Sequence, residues 1–149
     1  MRRIVRAVCI AAPWVIIAAF GGLSLAPASL YMTVDAVRVS DAVEGEPIAM
    51  FVQRTIWRDF PADWVAAVRR IDADGVAIAM CAASGRADYR TTSRLPTRLT
   101  LDWWLAGAPC PLAPGDYVVT TRWTIDTPTP FDKVLSVTSN VFTIRPRSP

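Results

Sequence analysis

Two cysteines, Cys81 and Cys110, have the residue type that supports either covalent catalysis or a structural bridge. Catalysis requires a thiol whose pKa is lowered by a neighbouring cation or imidazole. The chain contains no histidine, and the residues on either side of Cys81 are apolar. An oxidising compartment would instead join the two thiols, and closing a loop of about 30 residues contributes roughly 3–4 kcal/mol to stability. The pair therefore predicts a structural disulfide.

Carboxylates in two turns invite a metal-binding or acid–base interpretation. Asp72 and Asp74 stand in an Asp-Ala-Asp-Gly stretch, but the glutamate that a calcium loop needs at its twelfth position is missing. Aspartate and glycine also form tight hairpin turns without metal. Asp41, Glu44 and Glu46 cluster in a polar turn, whereas paired catalytic carboxylates face each other across a cleft. We therefore expect no metal, no cofactor and no enzymatic activity.

A binding surface is predicted around Trp104. Residues 99–105 show the alternation of a strand, and strict alternation directs Trp104 and Asp102 away from the core. An exposed tryptophan is typical of a surface that meets a protein partner, a glycan or a membrane. The alternative is burial of Trp104 against an adjacent loop, for example against Tyr89. Trp104, Asp102 and Tyr89 are therefore the candidate binding residues.

The net charge of the chain originates at its N-terminus. The 16 basic residues exceed the 13 acidic residues by three, and three arginines, Arg2, Arg3 and Arg6, precede the first apolar run. The rest of the chain is neutral overall. A nucleic-acid-binding domain has its positive excess as a patch on the folded surface. The charge distribution therefore argues against nucleic acid as a partner.

The apolar run after these arginines is long enough to cross a membrane. Residues 7–30 contain no charge over 24 positions, and a bilayer core needs roughly 20 helical residues. Arginines on the N-terminal side favour a cytoplasmic N-terminus and an external C-terminal domain. A cleaved signal peptide is the alternative, because Ala26-Pro27-Ala28 resembles a peptidase site. Residues 1–31 are thus predicted as an inner-membrane anchor or a signal segment, and either one exports the remainder.

After Tyr31 the sequence changes to short alternating runs separated by turn residues, which is the pattern of an all-β domain. Seven strands are predicted within residues 32–145, at 33–40, 48–57, 64–69, 76–83, 99–105, 117–125 and 134–144. The last of them has an irregularity at Ser139-Asn140. In the sixth, alternation predicts one inward face, made of Tyr117, Val119, Thr121, Trp123 and Ile125. Residues 146–149 are predicted to be a loose tail.

The segment 60–71 is compatible with two structures. Apolar residues recur there at helical spacing, but a strand is favoured because Asp72–Gly75 then becomes a hairpin turn. A loop containing Gly85, Asp88 and Ser93 is predicted after the strand that follows this turn.

Two motifs resemble the last strands of immunoglobulin-like and fibronectin-III-like domains. Leu112–Tyr117, followed by an alternating strand that ends at Trp123–Ile125, resembles the penultimate strand of such domains. Ser139–Ile144 is similar to their last strand. The resemblance implies that the hydroxyl of Tyr117 bonds back to nearby backbone, as a tyrosine corner does, and that Trp64 is the core tryptophan of the third strand.

The resemblance implies a seven-stranded immunoglobulin-like sandwich over residues 32–145, although the second and sixth strands lack the cysteines of the antibody-type bridge. The whole chain is also similar to small single-pass envelope proteins of bacterial phages and prophages. We therefore expect a single-pass inner-membrane protein whose periplasmic domain binds or scaffolds in the cell envelope, with a protein or glycan as partner. A secreted or periplasmic soluble binding module is the alternative. An envelope enzyme is disfavoured by the absence of histidine.

Overall fold

The computed structural model describes residues 21–22, 26–128 and 131–148. After a 3-10 turn at Ala28–Leu30, the described residues form nine strands and one helical turn. The strands are β1 Met32–Val39, β2 Ala42–Val43, β3 Ala49–Ile56, β4 Phe60–Ile71, β5 Ala77–Tyr89, β6 Arg98–Thr100, β7 Gly115–Ile125, β8 Lys133–Thr138 and β9 Phe142–Arg145. The helical turn α1, Leu101–Trp104, follows β6 directly. The predicted all-β class is confirmed, with nine strands in this part of the chain in place of the predicted seven.

The strands form two sheets with one core between them. The smaller sheet has the order β1-β3-β6 and is antiparallel. The larger sheet has the order β2-β9-β7-β4-β5, and β8 pairs with β7 beside β9. Only the short β2 is parallel to its neighbour, β9, among the described pairings. Along β7 the side chains alternate as predicted, and the five inward residues from Tyr117 to Ile125 are all buried.

Residues 60–71, for which the sequence allows a helix or a strand, form the strand β4, which pairs with β5 in a hairpin. Its turn depends on Asp72, whose Oδ1 accepts from the backbone N–H of Asp74 at 2.9 Å and of Val76 at 2.8 Å. Gly75 supplies a φ of +78° there, a conformation that costs glycine little. The Asp-Ala-Asp-Gly stretch is therefore a hairpin turn stabilised by its own first carboxylate.

The strand β5 is longer than the sequence predicts. The expected loop at Gly85 and Asp88 is wrong, because both residues pair with β4 and the strand continues to Tyr89. Residues 84–88 are mostly small or polar and have low strand propensity, so the sequence pattern does not predict this part of β5. Ser93 lies in a loop, as predicted.

The predicted strand 99–105 is wrong beyond its first residues. It ends at Thr100, whose hydroxyl accepts from the backbone N–H of Trp103 at 3.3 Å and so caps the helical turn α1. Asp102 in the first turn adds a favourable charge at that end. The helical turn reverses the orientation that alternation predicts, so that Trp104 is 7% exposed and Trp103 is 52% exposed.

The irregularity predicted at Ser139-Asn140 is the break between β8 and β9. The Ser139 hydroxyl accepts from the backbone N–H of Val119 at 2.9 Å. The Asn140 side chain accepts from the N–H of Val39 at 2.8 Å and donates to its carbonyl at 2.9 Å. The break therefore connects the larger sheet to β1 of the smaller sheet.

The predicted disulfide is present in the structure. Cys81 on β5 is bonded to Cys110 in the loop between α1 and β7, with Cα atoms 5.6 Å apart. The bond ties this loop, and the helical turn that precedes it, to the edge strand of the larger sheet.

Most of the predicted anchor or signal segment, residues 1–20 and 23–25, lies outside the described residues. Within the residues that are described, no helix has the length and apolar character that crossing a bilayer requires.

Candidate functional site, a tryptophan-lined cavity

A cavity of about 710 Å³ opens where α1 and the turn after it face β4, β5 and β7. The residues that determine its chemistry are Trp64, Trp103, Trp104, Trp123, Tyr89 and Arg54. We call it the aromatic cavity. Small molecules bind in clefts of roughly 300–1,000 Å³, so the aromatic cavity has the size of a ligand site.

Hydrogen bonds and ring contacts hold the aromatic walls in place. The Nε1 of Trp104 donates to the hydroxyl of Thr121 at 2.8 Å, and the Nε1 of Trp123 donates to the hydroxyl of Tyr89 at 3.0 Å. The rings of Trp104 and Trp123 meet edge to face with centroids 6.1 Å apart. Tyr89 stacks on Phe60 at 5.1 Å. These walls are therefore formed before any ligand arrives, which lowers the entropy cost of binding.

Trp64 forms another wall because its strand neighbour is glycine. Trp64 lies directly opposite Gly85 in the pairing of β4 with β5. A Cβ atom at Gly85 would lie 2.9 Å from Cζ2 of the Trp64 indole, which is closer than real contacts allow. Only glycine at this position lets the indole lie against β5.

Arg54 is the one basic residue among those that line the aromatic cavity. It continues the inward face of β3, two residues after the buried Val52 and four after the buried Met50. Its guanidinium lies 5.1 Å from the centroid of the Trp104 ring. Among the described residues, neither Nε nor Nη2 has a hydrogen-bond partner, and both atoms are buried. Burial lowers the pKa of Arg54, yet an arginine stays charged in proteins at neutral pH.

Tyr89 adds a hydroxyl to the same wall. Burial raises the pKa of Tyr89, and the hydrogen bond from Trp123 and the charge of Arg54 oppose this rise. The phenol is therefore protonated at neutral pH. Its oxygen accepts from Trp123, so its proton is available for a second partner.

The structure brings the predicted binding residues together, but not as alternation suggests. Trp104, Asp102 and Tyr89 all line the aromatic cavity. Trp104 and Tyr89 are buried in its wall, so the expected exposure of Trp104 is wrong, whereas Asp102 is exposed at its mouth. Arg54 was not among the predicted residues, although the period of two from Met50 and Val52 was a signal for its inward position.

Two of the carboxylates that suggested other chemistry, Asp41 and Asp72, have structural partners. Asp41 accepts from the backbone N–H of Thr143 at 2.9 Å and lies 3.6 Å from the guanidinium of Arg145. In the described part of the chain, no group of three histidine, cysteine, aspartate or glutamate side chains is placed to hold a metal ion.

Neither protein-family models nor curated proteins match this chain. The geometry of the aromatic cavity is therefore the observation from which a function follows.

Proposed function

We propose that this chain is a binding module of the cell envelope and that the aromatic cavity is its ligand site. The observation that supports this is the cavity itself, whose lining combines preformed aromatic walls with a half-buried arginine, two of whose nitrogens are buried without a hydrogen-bond partner among the described residues. Folded proteins bury such groups at a cost unless a partner is supplied. A cavity of this kind is typical of a site that a ligand completes.

Binding is proposed rather than catalysis. The chain has no histidine, so a Ser-His-Asp or Cys-His arrangement is excluded. Both cysteines of the β domain are used in the disulfide. A scaffolding role with a protein or glycan partner remains compatible with the exposed Trp103 at the cavity.

An immunoglobulin-like variant of the sandwich is part of the proposal. The hydroxyl of Tyr117 donates to the carbonyl of Ala113 at 2.7 Å, which is the backbone contact of a tyrosine corner. The strand order of the larger sheet places β7 between β9 and β4, as the penultimate strand of such domains lies. Trp64, the proposed core tryptophan, is half-buried and lines the cavity. A phage or prophage origin is proposed from the resemblance alone, and lysis or tail genes beside the coding sequence would support it.

The proposed location is the inner membrane, with a cytoplasmic N-terminus and a periplasmic β domain. Arg2, Arg3 and Arg6 before the uncharged run support this orientation. The disulfide supports an oxidising compartment. A secreted or periplasmic soluble module after signal cleavage is the alternative proposal.

A fusion experiment tests this location. Alkaline phosphatase fused after Ile144 is expected to be active, because the enzyme matures only outside the cytoplasm. The unfused full-length chain is expected to stay in the membrane pellet after carbonate washing. Recovery of a soluble chain that starts near Ser29 would replace the anchor by the cleaved-signal alternative and leave the fold unchanged.

Two exposed tryptophans provide a matched test of the cavity. Trp103 is 52% exposed in the cavity wall, and Trp57 is 58% exposed and does not line it. Trp103→Ala is expected to weaken the binding of a small aromatic probe such as 2-naphthamide by about 1–2 kcal/mol. Trp57→Ala is expected to leave it unchanged. Titration calorimetry gives both values, and equal losses in the two variants would place the probe elsewhere.

A further inference from the structure

We propose that the natural ligand of the aromatic cavity is a small organic monocarboxylate with a flat apolar body, bound through Nε and Nη2 of Arg54. This inference rests on the proposed function and specifies the chemical class of the ligand.

The geometry of the unpartnered nitrogens points to a carboxylate. Nε and Nη2 form one edge of the planar guanidinium, and their two N–H groups match the spacing of the two oxygens of a carboxylate. Both atoms are buried without a hydrogen-bond partner in the described part of the chain. Because these two nitrogens are covered by protein atoms while Arg54 lines the cavity, a carboxylate reaches them when the side chain rotates, and it then satisfies both donors and neutralises the charge.

No carboxylate in the described part of the chain forms an ion pair with Arg54. The ion pairs among the described residues join Arg86 to Asp63 and Asp126, and Arg145 to Asp41. The two acidic residues that line the cavity, Asp88 and Asp102, are exposed and make no ion pair with Arg54. The guanidinium of Arg54 is therefore available to pair with the carboxylate of a ligand.

The other groups of the cavity restrict the charge of that ligand to one. Arg54 supplies one positive charge, and Asp88 and Asp102 supply negative charge on the exposed part of the lining. A phosphate or a dicarboxylate would bring a second negative charge into a cavity that is already lined by two aspartates, and like charges repel each other. A monocarboxylate is neutralised by Arg54 alone, and the free proton of Tyr89 offers it a further hydrogen bond.

The walls determine the body of the ligand. Indole rings of Trp64, Trp103 and Trp104 present flat apolar faces or edges to the cavity. Aromatic rings pack favourably against such surfaces in stacked or edge-to-face arrangements. A flat apolar body with one terminal carboxylate therefore fits both parts of the site.

Two isosteric probes test the inference: 2-naphthoate, which has the carboxylate, and 2-naphthamide, which has the same body without charge. Titration calorimetry of the full-length chain, with the same detergent in cell and syringe, is expected to show about 10- to 100-fold tighter binding of naphthoate. Arg54→Met is expected to remove this preference and to leave the affinity for naphthamide within about 3-fold, because methionine keeps the apolar surface. Arg54→Lys is expected to retain part of the preference, since it keeps the charge but loses the paired donors.

Arg122→Met is the control, because Arg122 is exposed on the outward face of β7. This variant is expected to prefer naphthoate over naphthamide as strongly as the wild type does. If the wild type binds both probes equally, and Trp103→Ala weakens both, the carboxylate inference is overturned and the binding module stands. If neither probe binds the wild type, both proposals are overturned. A preference that survives in Arg54→Met overturns the assignment to Arg54. If Arg54→Met does not fold, the inference is tested by the ratio of the naphthoate and naphthamide affinities in the wild type and by the reduction of that ratio in Arg54→Lys. An unchanged ratio in Arg54→Lys would overturn the paired contact with Arg54.

Discussion

Replacing Trp123 with alanine is expected to lower the free energy of unfolding by about 3–5 kcal/mol. The indole is 1% exposed, packs edge-on against Trp104 and donates its Nε1 proton to the hydroxyl of Tyr89. Its removal opens a void between the sheets and deprives a buried hydroxyl of its donor, and both effects destabilise the folded state. Urea denaturation of residues 26–149, as wild type and variant, measures the difference.

The neighbours of Trp123 on the same strand provide the controls. Arg122 and Thr124 lie on the outward face of β7, so Arg122→Ala and Thr124→Ala should each change stability by no more than about 0.5 kcal/mol. If either change cost more than Trp123→Ala, the assignment of the two faces of β7 would be inverted.

Removing the disulfide is expected to cost about 3–4 kcal/mol of folding stability in the chain-entropy description. The bond closes a loop with a sequence separation of 29 residues between Cys81 and Cys110. The double variant Cys81→Ser, Cys110→Ser should therefore unfold at lower urea concentration. It should also bind 2-naphthamide more weakly, because α1 and its turn are no longer tied to β5.

Reductant and thiol labelling complete this experiment. Reductant should destabilise the wild type and leave the double serine variant unchanged, which separates loss of the bond from a solvent effect. A maleimide should label neither Cys81 nor Cys110 in the native protein before reduction. Rapid labelling of both Cys81 and Cys110 in unreduced native protein would contradict the bond.

Where a single strand has one buried face, the sequence predicts the structure well. The alternation from Tyr117 to Ile125 assigns the two faces of β7 because side chains in a strand have a strict period of two. The Asp72–Gly75 turn identifies β4 as a strand for a similar reason, since a two-stranded hairpin requires that turn chemistry. Both predictions depend only on residues close in sequence.

The segment after Thr100 shows how a local signal can be overlooked. Leucine and tryptophan at alternate positions suggest a strand, but Thr100 is a favourable N-cap residue and Asp102 favours a first helical turn. The helical turn places Trp104 inside and Trp103 outside. Alternation therefore predicted the wrong tryptophan as the exposed one.

The aromatic cavity could not be assembled from the sequence. Its walls come from β3, β4, β5, β7 and α1, which are adjacent only because of the strand order in two sheets. Sequence pattern predicts which residues point inward but not which strands are neighbours. Arg54 is an example, because its inward position can be predicted from the period of two, whereas its lack of an ion-pair partner among the described residues depends on the packing.

Because Arg54 lies on the inward face of β3, the stability of the domain depends on whether a ligand neutralises the charge of this side chain. Burial of two nitrogens of Arg54 without hydrogen-bond partners among the described residues is expected to cost folding free energy. A ligand that neutralises the guanidinium binds the folded chain and not the unfolded chain, and so adds a free energy that grows with the logarithm of its concentration. The melting temperature of the domain then reports occupancy of the cavity. Heat resistance in the presence of a metabolite extract becomes a way to isolate the ligand without knowing its identity beforehand.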